Sequence, residues 1–180
     1  MKSGYDYIGE TWKKQGEGIS KLWKARLVEW RQSDAVARVE KPTRLDRARA
    51  LGYKAKAGFV IARVRVRRGG HKRPRPKGGR RSKRMTIRKN LMMNYRWIAE
   101  QRASRRFPNL ELLNSYWLAK DGIYCWFEAI LVDKSRPEIM ADKNISWILS
   151  KKHKARAFRG LTSAAKKSRG LRTKGHRRNR

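Results

Sequence analysis

The sequence contains one cysteine, Cys125, in 180 residues. An internal disulfide is excluded, and a reducing compartment is the expected setting. Long apolar runs are also missing. None approaches the roughly 20 residues that a membrane-spanning helix needs. The amino terminus holds acids and tryptophan but no apolar h-region, so it does not read as a signal peptide. Acids are the third scarcity: 14 Asp+Glu stand against 49 Lys+Arg, a formal net charge of +35. Self-repulsion at that charge calls for a large anionic partner. These absences describe a soluble, intracellular chain forming one domain, residues 1–180, with basic extensions.

Signs of catalysis are equally scarce. His71, His153 and His176 all lie in basic segments with no acid beside them, and nearby cations disfavour their protonation. One Cys and scattered His give no zinc spacing. Neither a P-loop nor a dinucleotide-binding glycine fingerprint is present. Asp121, Glu128 and Asp133 read as a turn residue and surface salt-bridge partners. No enzyme activity, resident cofactor, metal site or small-molecule substrate is expected. Zinc fingers, basic zippers and heptads are absent, as is the RNP1 string.

What is present is segregated charge. Seven acids lie in residues 1–46 and seven in 100–142. Residues 47–99 carry 19 Lys/Arg and residues 151–180 carry 13, with no acid in either segment. A solvated surface normally mixes signs, so two such segments mark contact with a polyanion.

The central stretch is residues 41–84. Thr43 and Asp46 form a capping-box-like helix start, and Gly52 is a natural stop. Residues 53–58 turn into a strand over 59–68. There Val60, Ala62, Val64 and Val66 share one face, and Arg63, Arg65 and Arg67 the other. Residues two apart on a strand are separated by about 6.6 Å, near the phosphate spacing of a nucleic acid. The arginines thus read as a phosphate ladder outside a core sealed by the valines. The alternative is that acids of a neighbouring strand, such as Glu128, cover them. From Gly69 to Arg84 no residue can join a core, so this arm is expected to be disordered until bound. Fully extended it reaches about 50 Å.

Elsewhere the pattern predicts a helix over 3–15, with Ser3 and Asp6 at its start and Ile8 and Trp12 on one face. A second helix carries Ile19, Leu22, Trp23, Leu27 and Trp30 as an apolar stripe. Core packing is the reading for these tryptophans, with base stacking the alternative. A helix is predicted over 86–106, with Ile87, Leu91, Met92, Tyr95 and Ile98 buried. Strands over 110–118 and 123–133 flank Asp121-Gly122, a hairpin signal. The second is apolar on nearly both faces and should sit centrally under helices. A short helix is expected within 139–149. Another follows at 163–167, capped by Thr162 and closed by Gly170, with Phe158 and Leu161 pinning it to the core. The last ten residues read as a basic tail.

The fold class is therefore α+β, a small antiparallel sheet covered by helices on both faces, with a basic arm (69–85) and a basic carboxy-terminal extension (151–180). Irregular arms suit the crevices of folded RNA better than the smooth surface of duplex DNA, so a ribonucleoprotein component is favoured over a DNA-packaging protein. Lys41, Arg44, Arg47, Arg49, Tyr53, Lys54 and Lys56 are assigned to RNA contact, with Arg63, Arg65, Arg67 and Arg68 of the strand. The arm supplies His71, Lys72, Arg73, Arg75, Lys77, Arg80, Arg81, Lys83 and Arg84, followed by Arg88. The extension supplies Lys154, Arg156, Arg159, Lys166, Lys167, Arg169, Arg172 and Lys174.

KPTRLDRARALGYKAKAGFVIARVRVRRGG (41–70), FPNLELLNSYW (107–117) and FRGLTSAAKKSRGL (158–171) resemble the large-subunit ribosomal protein family fifteen-e of archaea and eukaryotes. YDYIGETW (5–12) and EAILVD (128–133) are also similar to that family. The resemblance implies a structural protein of the cytoplasmic ribosome, bound to large-subunit rRNA and to neighbouring ribosomal proteins. It also implies an arm and a carboxy-terminal extension buried in RNA, with any Mg or monovalent ions held through the RNA. The short tail looks archaeal.

Overall fold

The computed structural model describes residues 2–14, 16–72, 77–79 and 88–172. Four strands form one antiparallel sheet: β1 (Val36–Val39), β2 (Phe59–Arg67), β5 (Leu110–Lys120) and β6 (Tyr124–Asp133), in the order β1-β2-β6-β5. The central place falls to β6 because it is apolar on both faces. Cys125 to Val132 are all buried. Asp121 starts the β5–β6 hairpin, its Oδ1 accepting from the N–H groups of Ile123 (2.7 Å) and Tyr124 (2.5 Å), as an Asx turn does.

Helices cover both faces, as expected. On one, α4 (Tyr95–Arg106) brings Ala99 and Ala103 against Ala62, Val64, Val66, Ala129 and Leu131. Alanine on both partners lets helix and sheet approach closely. On the other, α2 (Glu17–Gln32) and α3 (Leu45–Ala50) bring Trp30 and Ala48 against Ile61, Tyr116, Trp126 and Ile130. The short α5 (Pro137–Met140) adds Ile139 to the same cluster. Gly58, at φ +90, passes so close that an added Cβ would stand 2.6 Å from Ile139 Cγ1. Gly52, at φ +96, ends α3 as read from the sequence. Its N–H donates to the Arg49 carbonyl and that of Tyr53 to Ala48, both at 3.0 Å, a Schellman closure.

The amino-terminal α1 (Gly4–Lys13) begins with the Asp6 carboxylate accepting from the Ser3 N–H at 2.8 Å. At the other end Thr162 Oγ1 accepts from the Ala165 N–H (3.2 Å) to cap α6 (Ser163–Ser168). The outer strand β5 receives side-chain donors on its main chain. Arg156 Nη1 donates to the carbonyls of Leu112 (3.0 Å) and Leu113 (2.7 Å), and Arg96 Nη2 donates to that of Ser115.

Several elements differ from the sequence expectation. β1 is an unforeseen strand of four residues, too short to show a period. The helix expected from residue 86 begins at Tyr95, where the Asn94 side chain accepts from the Trp97 N–H (2.8 Å). Ahead of it, β4 (Arg88–Lys89) pairs with β3 (His71–Lys72). The base of the arm is thus a two-stranded ribbon rather than an unpaired chain. Met92 is 89% exposed, not buried, and Ile87 lies outside the described residues. The 139–149 helix divides into α5 and a 3-10 turn over Ser146–Leu149. Thr43 does not cap α3; its hydroxyl donates to Glu128 instead (2.5 Å). Phe158 is exposed, with the Arg105 guanidinium 5.6 Å from its ring.

Candidate nucleic-acid interface

The alternation of β2 is as the sequence predicts: Val64 and Val66 are buried and Arg67 is exposed on the opposite face. That opposite face is nonetheless covered. The Arg63 guanidinium lies over Trp30 at 4.7 Å and that of Arg65 over Tyr124 at 4.8 Å. Arg65 also donates to the carbonyls of Trp30 (3.4 Å) and Arg31. A period of two says which side chains share a face, and is silent on what another element lays across it. Here α2 does so with Trp23 and Trp30, in a line of tryptophans that Trp12 of α1 and Trp126 of β6 extend. Trp12 and Trp23 stand 4.5 Å apart, Trp23 and Trp30 5.5 Å, and Trp30 and Trp126 6.2 Å. Arg44 lies over Trp12 (4.6 Å) and Arg26 over Trp23 (5.5 Å). Aromatic rings and guanidinium groups interleave along the face, each pair favourable through the ring quadrupole.

The remaining assigned residues divide by exposure. Tyr53 is buried against Phe59 (5.6 Å) and Arg156 is buried over Trp147 (5.0 Å). Arg44 pairs with Asp46 (2.7 Å), and Lys54 and Lys56 both pair with Asp142 (2.6 and 2.8 Å). The two ammonium groups hold the Asp142 carboxyl well below its ordinary range. Lys41, Arg47, Arg49, Arg68, His71 and Lys77 are exposed, as are Lys154, Arg159, Lys166, Lys167, Arg169 and Arg172. Some of these are steered by the backbone: Arg68 donates to the Asp121 carbonyl (2.5 Å) and Arg169 to that of Gly160 (3.2 Å). Lys72 and Arg88 are placed by the β3–β4 pairing. Arg73, Arg75, Arg80, Arg81, Lys83, Arg84 and Lys174 lie outside the described residues, as does His176.

Three acids sit inside the fold. Glu128, read from sequence as a surface partner, is fully buried. Its carboxylate accepts from the Thr43 N–H (3.1 Å), the Thr43 hydroxyl (2.5 Å) and the Tyr116 hydroxyl. Glu100 accepts from Ser115 Oγ and Thr162 Oγ1, both at 2.5 Å. Glu111 accepts from the N–H groups of Ala155 (3.0 Å) and Arg156 (3.2 Å) and pairs with Lys134 (3.0 Å). Burial pushes the carboxyls of Glu100 and Glu128 above the ordinary glutamate value. Each acid ties a distant segment to the sheet, and none is left to weaken the cationic surface. The signal for Glu128 was in the sequence, since an acid within IYCWFEAILVD has apolar neighbours on both sides. Sequence reasoning also passed over Arg102, Arg105 and Arg106, exposed on α4, and Lys151 and Lys152.

Among the described residues, no three His, Cys, Asp or Glu side chains gather to hold a metal ion. No helix among them is long and apolar enough to cross a membrane. The family model for Ribosomal L15 proteins of the L15e type matches residues 3–180. The large ribosomal subunit protein eL15 of Picrophilus torridus is 51% identical over 177 residues, covering 95% of this chain and 89% of that protein. A match along nearly the whole length, through the strands, the arm and the extension alike, places the chain in the ribosomal L15e family.

Proposed function

We propose that this protein is a structural constituent of the large ribosomal subunit that binds and stabilises large-subunit rRNA. The observation that carries the reading is the separation of charge. Cations crowd the acid-free segments 47–99 and 151–180, while Glu100, Glu111 and Glu128 are withdrawn into the core. The name of the Picrophilus torridus relative supports the same assignment. In this role no bond is made or broken. The sheet and its helices present the exposed lysines and arginines in fixed positions, and neutralised phosphates release counterions. The arm over 69–85 and the extension over 151–180 are the segments that enter RNA. Neighbouring large-subunit proteins complete the surroundings, in the cytoplasmic ribosome.

The test is binding of the full chain to deproteinised large-subunit rRNA across salt. Contact with six to ten phosphates predicts an affinity loss of roughly 10³ to 10⁵ between 50 and 200 mM salt. Ribonuclease, but not deoxyribonuclease, should release the protein from sedimenting particles. Equal affinity and equal salt slopes on duplex DNA would overturn the proposal in favour of DNA packaging.

A further inference from the structure

Besides a larger hollow walled by Trp12, Trp23 and Trp117, the tryptophan-bearing side has a smaller open crevice beside Arg63. It encloses ≈ 400 Å³ between α2, the Lys41-Pro42-Thr43 turn and β2. Three cations from these three elements line it: Arg26, Lys41 and Arg63. Arg63 is the informative one. Its side chain is partly buried, and Trp30 takes one face of the guanidinium. Yet among the described residues its N–H groups make no hydrogen bond or ion pair, unlike those of Arg65. The cross-strand neighbour of Arg63 is Glu128, but that carboxylate is satisfied by Thr43 and Tyr116. The Arg63 donors are not among the buried unpaired atoms of the described residues. They open into the crevice, where Glu128 and Glu29 favour the charged guanidinium without a direct hydrogen bond, and an anion can reach them.

We infer that this crevice binds one phosphate group, with Arg63 as its floor and Arg26 and Lys41 at its rim. With its guanidinium carbon over the Trp30 ring at 4.7 Å, Arg63 is held in place to offer its N–H donors to two phosphate oxygens in a bidentate grip. Glu29 also lines the crevice, and Glu128, held beneath it on Thr43, is the second acid near Arg63. The ligand is a phosphodiester of the RNA backbone or a free phosphate, and the inference rests on the RNA-binding reading only for the first source.

The experiment follows the Arg63 side-chain Nε–H resonance in the full chain, titrated with inorganic phosphate and separately with large-subunit rRNA. A saturable shift with either probe supports the site, and the probe that causes it identifies the source. In parallel, rRNA affinity is measured against salt for Arg63→Gln, Arg63→Lys and Glu29→Gln. Loss of one phosphate contact lowers the salt slope by about 0.7–0.9. Arg63→Lys should fail to restore full affinity, and Glu29→Gln should strengthen binding severalfold. Should Arg63→Gln unfold, Arg26→Gln with Lys41→Gln carries the same slope test, because both side chains are exposed. Wild-type protein that ignores rRNA defeats the proposed function. An unmoved Arg63 resonance with both probes, beside unchanged slopes in the variants, defeats the phosphate site alone.

Discussion

Against α4 the sheet presents Ala62, Val64, Val66 and Ala129; against α2 and α3 it presents Ile61, Tyr116, Trp126 and Ile130, with Arg63 and Arg65 between the rings. The first face packs alanine and valine closely against the helix, its one buried acid, Glu100, being held by the hydroxyls of Ser115 and Thr162. The second packs just as securely while keeping guanidinium groups within the packing. Aromatic rings make that feasible, because a tryptophan offers a cation both contact area and a negative quadrupole. A strongly cationic chain can thus have a core on both sides of its sheet and still present positive charge through one of them.

Four substitutions sharpen or break that contrast. Val64→Asp places an unpaired carboxylate on the fully buried α4 face and should unfold the domain, at a cost of several kcal/mol. Circular dichroism reads it, and a folded variant would mean that this face admits water. Trp30→Ala should cost about 3–5 kcal/mol and, by freeing Arg63, also alter the salt slope of RNA binding. Ala103→Leu overfills the close α4 contact and should cost about 1–3 kcal/mol, leaving the salt slope of the folded protein where it was. If the slopes of both variants move alike, the two faces are not functionally distinct.

The smallest effect is a pH dependence. Burial raises the carboxyl of Glu128 above its ordinary value of 4.5. A carboxyl raised on folding adds stability below its unfolded value, and that stability is lost as pH rises through the folded value. The melting temperature of the wild type should therefore carry a downward component above about pH 4.5 that Glu128→Gln removes. Asp142 acts in the opposite sense. Held low by Lys54 and Lys56, it adds stability above its ordinary 3.8 that is lost as pH falls. Melting curves of both proteins from about pH 2 to 8 check both signs, Asp142 below pH 3.8 and Glu128 above about pH 4.5.

Legibility in the sequence followed how local each cause was. The hairpin at Asp121, the stop at Gly52 and the cap at Thr162 depend on chemistry within a few residues, and each stands where its residues said. The central position of β6 was legible because an unbroken apolar run has few other homes. The cover over Arg63 and Arg65 was not, since it comes from Trp30 and Tyr124, distant in sequence from both. Thr43 shows the same limit: its spacing to Asp46 suggested a cap, but a buried Glu128 elsewhere in the chain made a stronger claim on its hydroxyl. The start of α4 moved to Asn94 because residues 88–89 had a partner in 71–72, a pairing no helical pattern registers.

The arginines that lie along β5 have a consequence for how many copies of this sheet can join. An outermost strand is where a second molecule adds by extending the ladder, and long exposed edges of this kind seed polymerisation. At Leu112, Leu113 and Ser115 the carbonyl oxygens already hold guanidinium donors from Arg156 and Arg96. An incoming strand would have to displace a group that is buried at Arg156, and would meet positive charge along the way. Along this part of β5, further pairing is opposed by the same residue type that makes the molecule cationic.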